Sequence, residues 1–174
     1  MLIFDIETNG LLPIVSKLHC LTIYNTATDE LKAYPPETVE EGVRRLRKAL
    51  DYGTRICGHN IIGYDLPALA KIYPWFTVTD SDLPFILDTL VLSRLIYSNL
   101  EVTDLGLMKS GRLPRPLYNS HTLKAWGWRL GELKGDYGEQ PDAWDDFDAD
   151  MLAYNKQDVI VTKNLLEKLQ AARY

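Results

Sequence analysis

The sequence is poor in residues that would staple or anchor it. It has two cysteines, Cys20 and Cys57. Each lies in an apolar, strand-like stretch where a free thiol acts as a small core residue, and neither has the spacing of a zinc motif. No apolar run approaches the ~20 residues that a membrane-spanning helix needs, so no membrane partner is expected. Met1 leads straight into an apolar segment, with neither a basic leader nor a small-residue cleavage site, which argues against a secretory signal and for a cytoplasmic location. Basic residues are not in surplus. The 19 Lys and Arg against 24 Asp and Glu leave a net charge of −5, the wrong sign for a protein that coats duplex nucleic acid. That sign still permits a nucleic-acid enzyme: acidic metal ligands contribute charge that bound cations cancel, and a single-stranded end needs few phosphate contacts. Internal repeats, low-complexity tracts and interdomain linkers are also missing.

What is present fits one α/β domain over residues 1–174, a length at which a chain buries about 70% of its unfolded surface. Leu2, Ile3 and Phe4 begin a buried strand that Gly10 breaks. Residues 18–24 read as a second strand and 31–34 as a third, joined by a polar turn into an antiparallel meander. Pro35 and Pro36 stop it. Thr38, with Glu41 three residues on, has the form of a capping box opening a helix whose apolar stripe is Val39, Val43, Leu46, Ala49 and Leu50. A short strand over 55–58 passes through Gly58-His59-Asn60 to a helix from about Leu66, with Pro67 in its first turn. Residues 84–87 suggest another strand, after which Asp88 and Thr89 cap a helix over 90–97. The stretch 104–118 holds Gly106, Gly111, Pro114 and Pro116 and reads as loop. Its Lys109, Arg112 and Arg115 are read as solvated, in preference to a phosphate-contacting patch beside Tyr118. A helix over 120–130 and a connector over 135–143 follow, and Asp145, Asp146, Asp148 and Asp150 charge the start of a last helix. Together these elements describe a mixed central β-sheet flanked by α-helices.

The residues that carry chemistry begin in the first strand. Side chains alternate faces along a strand, so Asp5 and Glu7 project from one side while Ile6 points the other way into the core. Carboxylates this close repel unless a cation sits between them, and oxygen donors with no His or Cys beside them suit Mg²⁺ or Mn²⁺ better than Zn²⁺. The same letters also describe a strand running into a polar turn, because Asp, Asn and Gly are turn formers. On the last helix Tyr154 and Asp158 stand four apart and share a face, with Leu152, Val159 and Leu166 supplying apolar packing. Taken alone, that pair is better read as a surface hydrogen bond.

The ordered set is more specific. Asp5-Ile-Glu7-Thr8 closes a strand, Asn60 and Tyr64-Asp65 precede a helix, Asp88-Thr89 follows a later strand, and Tyr154-Asn-Lys-Gln-Asp158 lies on a C-terminal helix. In this order Asp5, Glu7, Asp65 and Asp158 resemble the four acids of the DEDD superfamily of 3′–5′ exonucleases. Tyr154, four before the last Asp, matches its Tyr-type branch. The segments beginning Asp88-Thr-Leu-Val-Leu-Ser-Arg, Gly106-Leu-Met-Lys-Ser-Gly-Arg and Ser120-His-Thr-Leu-Lys-Ala-Trp-Gly-Trp are similar to the proofreading domain of family-A replicative DNA polymerases of T-odd bacteriophages. The connector over 135–143 is shorter than that likeness leads one to expect.

The resemblance implies a ribonuclease-H-like fold and a metal-dependent 3′–5′ exonuclease. Such an enzyme removes nucleoside 5′-monophosphates from single-stranded or mispaired DNA. It implies two divalent ions, Mg²⁺ or Mn²⁺, held by Asp5, Glu7, Asp65 and Asp158, with Tyr154 orienting the attacking water. Thr8 and Leu11 are expected against the terminal nucleotide and Asn60 against the strand, while His59 is read as structural. Polymerase palm, fingers and thumb have no counterpart here, so a polymerase domain is expected as a partner in cis or in trans. Two rival readings use the same residues: a Tyr-type exoribonuclease similar to the ribonuclease D group, and a non-catalytic binding module on the same fold.

Overall fold

Alternation along the first strand sets the layers. β1 (Leu2–Thr8) turns Leu2, Phe4 and Ile6 into a core shared with Val43, Leu46, Leu66 and Leu69, and turns Ile3 the other way against Val159 and Leu166. Asp5 and Glu7 continue the Ile3 face. The structure, a computed structural model, describes residues 1–132, 135, 137–139 and 143–171; part of the connector expected over 135–143 therefore lies outside the described residues.

Five strands form one sheet in the order β3-β2-β1-β4-β5. β2 (Leu18–Asn25) pairs antiparallel with β1 and with β3 (Glu30–Tyr34), as the meander predicts. β4 (Ile56–Gly58) and β5 (Ile86–Asp88) run parallel to β1. This mixed sheet with flanking helices is the α/β, ribonuclease-H-like arrangement that the resemblance implies. α1 (Val39–Asp51) and α2 (Asp65–Ile72) contribute to the Phe4 side, and α6 (Ala149–Ala171) crosses the Ile3 side. α3 (Thr89–Ile96) and α5 (Leu123–Leu130) complete a second apolar cluster with α6, built on Trp126, Val161 and Leu165. Cys20 and Cys57 are buried free thiols, as their apolar surroundings predict.

Three local readings need correction. Residues 104–118 are not mostly loop, because α4 (Glu101–Lys109) takes up six of these fifteen residues and a 3₁₀ turn (Arg115–Leu117) three more. Its anchor is tertiary: the fully buried Asp104 carboxylate accepts Nε and Nη2 of Arg129, each at 2.8 Å, and the N–H of Asn119 at 2.7 Å. Gly106 sits on the exposed face, so it does not break the helix. Lys109, Arg112 and Arg115 are exposed, in keeping with the solvated reading. Second, Thr38 makes no side-chain cap, and its hydroxyl turns back to the Pro35 carbonyl at 3.5 Å. A capping box forms instead at Thr79 and Asp82, ahead of a 3₁₀ turn (Asp80–Phe85) that contains Pro84 and delays β5 to Ile86. Third, α5 begins at Leu123, where Thr122 caps the N–H of Ala125.

Candidate active site

Three elements bring the acids together. β1 carries Asp5 and Glu7, and its register with β2 slips between Glu7 and Thr8. Such a bulge bends a strand and re-aims the side chains beside it. α6 lies across this end of the strand and offers Asn155 and Asp158, one turn apart, below Val159. One ligand oxygen from each of Asp5, Glu7 and Asp158 falls within 4.8 Å of the others.

Asp65, first residue of α2, borders this group without joining its 4.8 Å set. It is only 4% exposed, and its Oδ1 has no hydrogen-bond partner among the described residues. Burial first, and then the charges of Asp88 and Asp158, raise its carboxyl to about 7 against hydrogen bonds from its own and the Ile6 backbone that lower it. An orphaned, buried carboxylate oxygen beside three converging carboxylates fits divalent cations, and the donor set is all oxygen. Cys20, opposite Glu7 in the sheet, does not compete: burial, then Glu7 and Asp5, hold its thiol far above the usual range and so protonated.

Spacing rules missed Asn155. Its side chain is fully buried, and its Nδ2 donates to Asp5 Oδ2 at 2.8 Å and to Glu7 Oε1 at 3.5 Å. An amide here tethers two carboxylates that would otherwise repel. Its Oδ1 is buried with no partner among the described residues. The only sequence signal was its position, three residues before Asp158 and so on the same helix face.

The other expected residues surround the acids at different distances from the chemistry. A hollow of ≈ 240 Å³ beside Glu7 is lined by Thr8, Leu11, Tyr64 and Trp144. Thr8 is buried and held: its hydroxyl pairs with the Tyr64 hydroxyl, and both reach the Gly10 carbonyl. Leu11, 73% exposed, stands free at the rim. Tyr154 is half-buried, its ring packed against Tyr137 and Trp144 at 5.9 and 6.1 Å. Asn60 lies on the β4–α2 passage in a left-handed conformation, φ 65°, and borders a different cleft. His59 packs structurally, its Nδ1 2.9 Å from Thr89 Oγ1. A larger hollow of ≈ 730 Å³ beside Arg47 and Trp75 contains none of the four acids, so size alone does not mark the site.

Fold and acids together define a class of α/β domain: a mixed five-stranded sheet with carboxylates gathered beside its central strand. Among solved structures, one described as the apo form of the nuclease shares this fold with a TM-score of 0.64, across 98% of this chain and 72% of that one. At 18% identity the likeness is one of fold. No protein-family profile matches the chain. The sequence itself is 43% identical, over 190 aligned residues and all of its length, to the DNA-directed DNA polymerases of Escherichia phage T7 and Enterobacteria phage T3. It spans 27% of the length of each. The chain is thus related, along all of the sequence given, to one segment of these T-odd phage polymerases. Among the described residues, no helix is long and apolar enough to cross a membrane.

Proposed function

We propose that the protein is a metal-dependent 3′–5′ exonuclease that hydrolyses the terminal phosphodiester of single-stranded or mispaired DNA and releases nucleoside 5′-monophosphates. The convergence of Asp5, Glu7 and Asp158 within 4.8 Å, beside the orphaned Oδ1 of Asp65, carries this reading. Kinship with the phage polymerases favours DNA over RNA as the substrate, and a proofreading role alongside a polymerase domain, in cis or in trans, in the host cytoplasm.

Asp5, Glu7 and Asp158 would hold one divalent cation, Mg²⁺ or Mn²⁺, and Asp65 would help to hold a second. Ions so held supply positive charge to the attacking and leaving oxygens of an in-line displacement. Residues of the chain do the positioning. Tyr154 orients the attacking water, assisted by Glu7; a phenol with a pKa near 10 is a poor base at neutral pH, so orientation is its better role. Thr8 and the exposed Leu11 receive the terminal nucleotide in the hollow beside Glu7, and Asn60 contacts the strand behind it.

The test is a rate comparison on 5′-labelled single-stranded DNA, matched duplex and duplex with a mispaired 3′ end, in Mg²⁺ and in chelator. Trimming is expected only with metal, and faster on unpaired ends, because melting a matched end costs free energy. Equal rates on matched and mispaired ends contradict proofreading. Faster attack on the equivalent RNA favours an exoribonuclease, and no cleavage of any substrate favours a binding module.

A further inference from the structure

The passage from β4 to α2 touches two clefts. At one end Tyr64 borders the hollow beside Glu7, Thr8 and Leu11. At the other, His59 and Asn60 line a second cleft of ≈ 390 Å³, walled by Arg94 of α3 and by Asn119, His121 and Thr122 ahead of α5. The passage between them is pinned. The buried Asp88 carboxylate accepts the N–H groups of Asn60 and Ile62, each at 3.0 Å, as well as that of Leu90 at 2.8 Å. The Asn60 carbonyl accepts the N–H groups of Gly63 and Tyr64, both at 3.0 Å. The two clefts are therefore held at a fixed separation along five or so residues of chain, on the side of the sheet where β1, β4 and β5 end.

The second cleft is chemically one-sided. None of the residues lining it is acidic, in a chain with 24 Asp and Glu. Its donors include the Arg94 guanidinium, the side-chain amides of Asn60 and Asn119, and the hydroxyl of Thr122. Arg94 is exposed, and among the described residues it makes no salt bridge. Asn119 is fixed for presentation: its N–H donates to Asp104 at 2.7 Å and its Oδ1 accepts the Leu100 N–H at 3.4 Å, which leaves its amide nitrogen for a ligand. Burial first, and then the charges of Arg129 and Arg94, lower the pKa of His121 against an opposing pull from Asp104. A concave, acid-free surface of donors around an unpaired guanidinium suits a phosphate group.

We infer that this cleft binds a phosphodiester of the substrate strand upstream of the scissile linkage, with Arg94 as its main ligand. The inference rests on the exonuclease reading for its choice of ligand, since a strand ending among the acids runs past Asn60 into this cleft. Arg94 is then a binding residue of the strand and takes no part in the chemical step.

The probe is a 5′-fluorescein-labelled oligothymidylate of about a dozen nucleotides, titrated by fluorescence anisotropy in chelator over a range of salt, against the wild-type chain, Arg94→Gln and Arg94→Lys. Arg94→Gln is expected to weaken binding about tenfold, as for one lost charge-assisted contact, and to make the slope of log affinity against log salt shallower by about 0.7. Arg94→Lys keeps the slope. The penalty shrinks as the probe is shortened towards a dinucleotide, which cannot span both clefts. Unchanged affinity and slope in Arg94→Gln overturn the inference, as does an equal penalty on the longest and shortest probes. If the wild type trims no nucleic acid in Mg²⁺ while the length-dependent Arg94 penalty persists, the exonuclease reading fails and the strand cleft stands. If it trims DNA and Arg94→Gln binds normally, the cleft fails alone.

Discussion

Asn155→Asp is the sharpest perturbation of the acid cluster, because it keeps the shape of the side chain and converts a donor into a fifth carboxylate. In the wild type Nδ2 lies 2.8 Å from Asp5 Oδ2 and 3.5 Å from Glu7 Oε1, with the amide fully buried. Losing one hydrogen bond to a charged group costs about 1.5–3 kcal/mol. A like charge near 4 Å adds up to about 4 kcal/mol at an effective dielectric of 20, a figure that proton uptake reduces. A net loss of about 3–5 kcal/mol in metal-free protein corresponds, at this length, to a melting temperature lower by on the order of 10 °C. Asn155→Leu also loses the bond, but it removes the orphaned Oδ1 as well, so its loss is expected near ~1 kcal/mol. The assay is a thermal melt of all three proteins in chelator and in millimolar Mn²⁺. In chelator the order should be wild type, Leu, Asp, and the Asp variant should gain most from Mn²⁺, since cations relieve the repulsion it adds. An Asp variant that melts with the wild type in chelator would refute the reasoning, because Asn155 would then not be tethering repelling carboxylates.

Other expectations concern neighbouring groups. Asp5→Ala or Asp158→Ala should abolish cleavage while Tyr154→Phe leaves measurable rate, because losing a metal ligand removes more charge stabilisation than losing one orienting hydroxyl; single-turnover assays on labelled DNA decide it. Burial raises the folded Asp65 value to about 7, above the ~3.9 of an unfolded carboxylate, so the stability its protonated form contributes is full below about pH 4 and is lost as pH rises through about 7. Metal-free melting temperatures should therefore fall between about pH 4 and 7 and level off above that, and Asp65→Asn should flatten the fall and reduce the gain from Mn²⁺. Asp104→Ala strands the buried Arg129 guanidinium and should cost about 3–5 kcal/mol by denaturant unfolding.

Much of the scaffold was legible because it is written in short periods. Alternation in residues 2–7 separates Phe4 and Ile6 from Ile3, Asp5 and Glu7, and the observed faces follow it. The four-residue spacing in the last helix puts Asp158 over the sheet, but it says nothing of which neighbours a side chain meets. Tyr154 packs among Tyr137 and Trp144, and Asn155, an ordinary residue by composition, turns out to hold Asp5. Asp88 was readable as a helix cap. That the same carboxylate also fixes the Asn60 passage depends on residues 26 and 28 positions away and needs the fold. α4 was hidden for a like reason: Gly106 and Gly111 signal a loop locally, while the Asp104–Arg129 pair that secures the helix bridges 25 positions.

The central claim concerns the bond that is broken, and product identity tests it most directly. Single-stranded DNA of defined sequence, incubated with the protein and Mg²⁺ and sampled by mass spectrometry, should yield nucleoside 5′-monophosphates in the order of the sequence read from its 3′ end, with no release in chelator or from Asp158→Ala. Nucleoside 3′-phosphates, internal fragments, or release that persists in chelator would contradict the account.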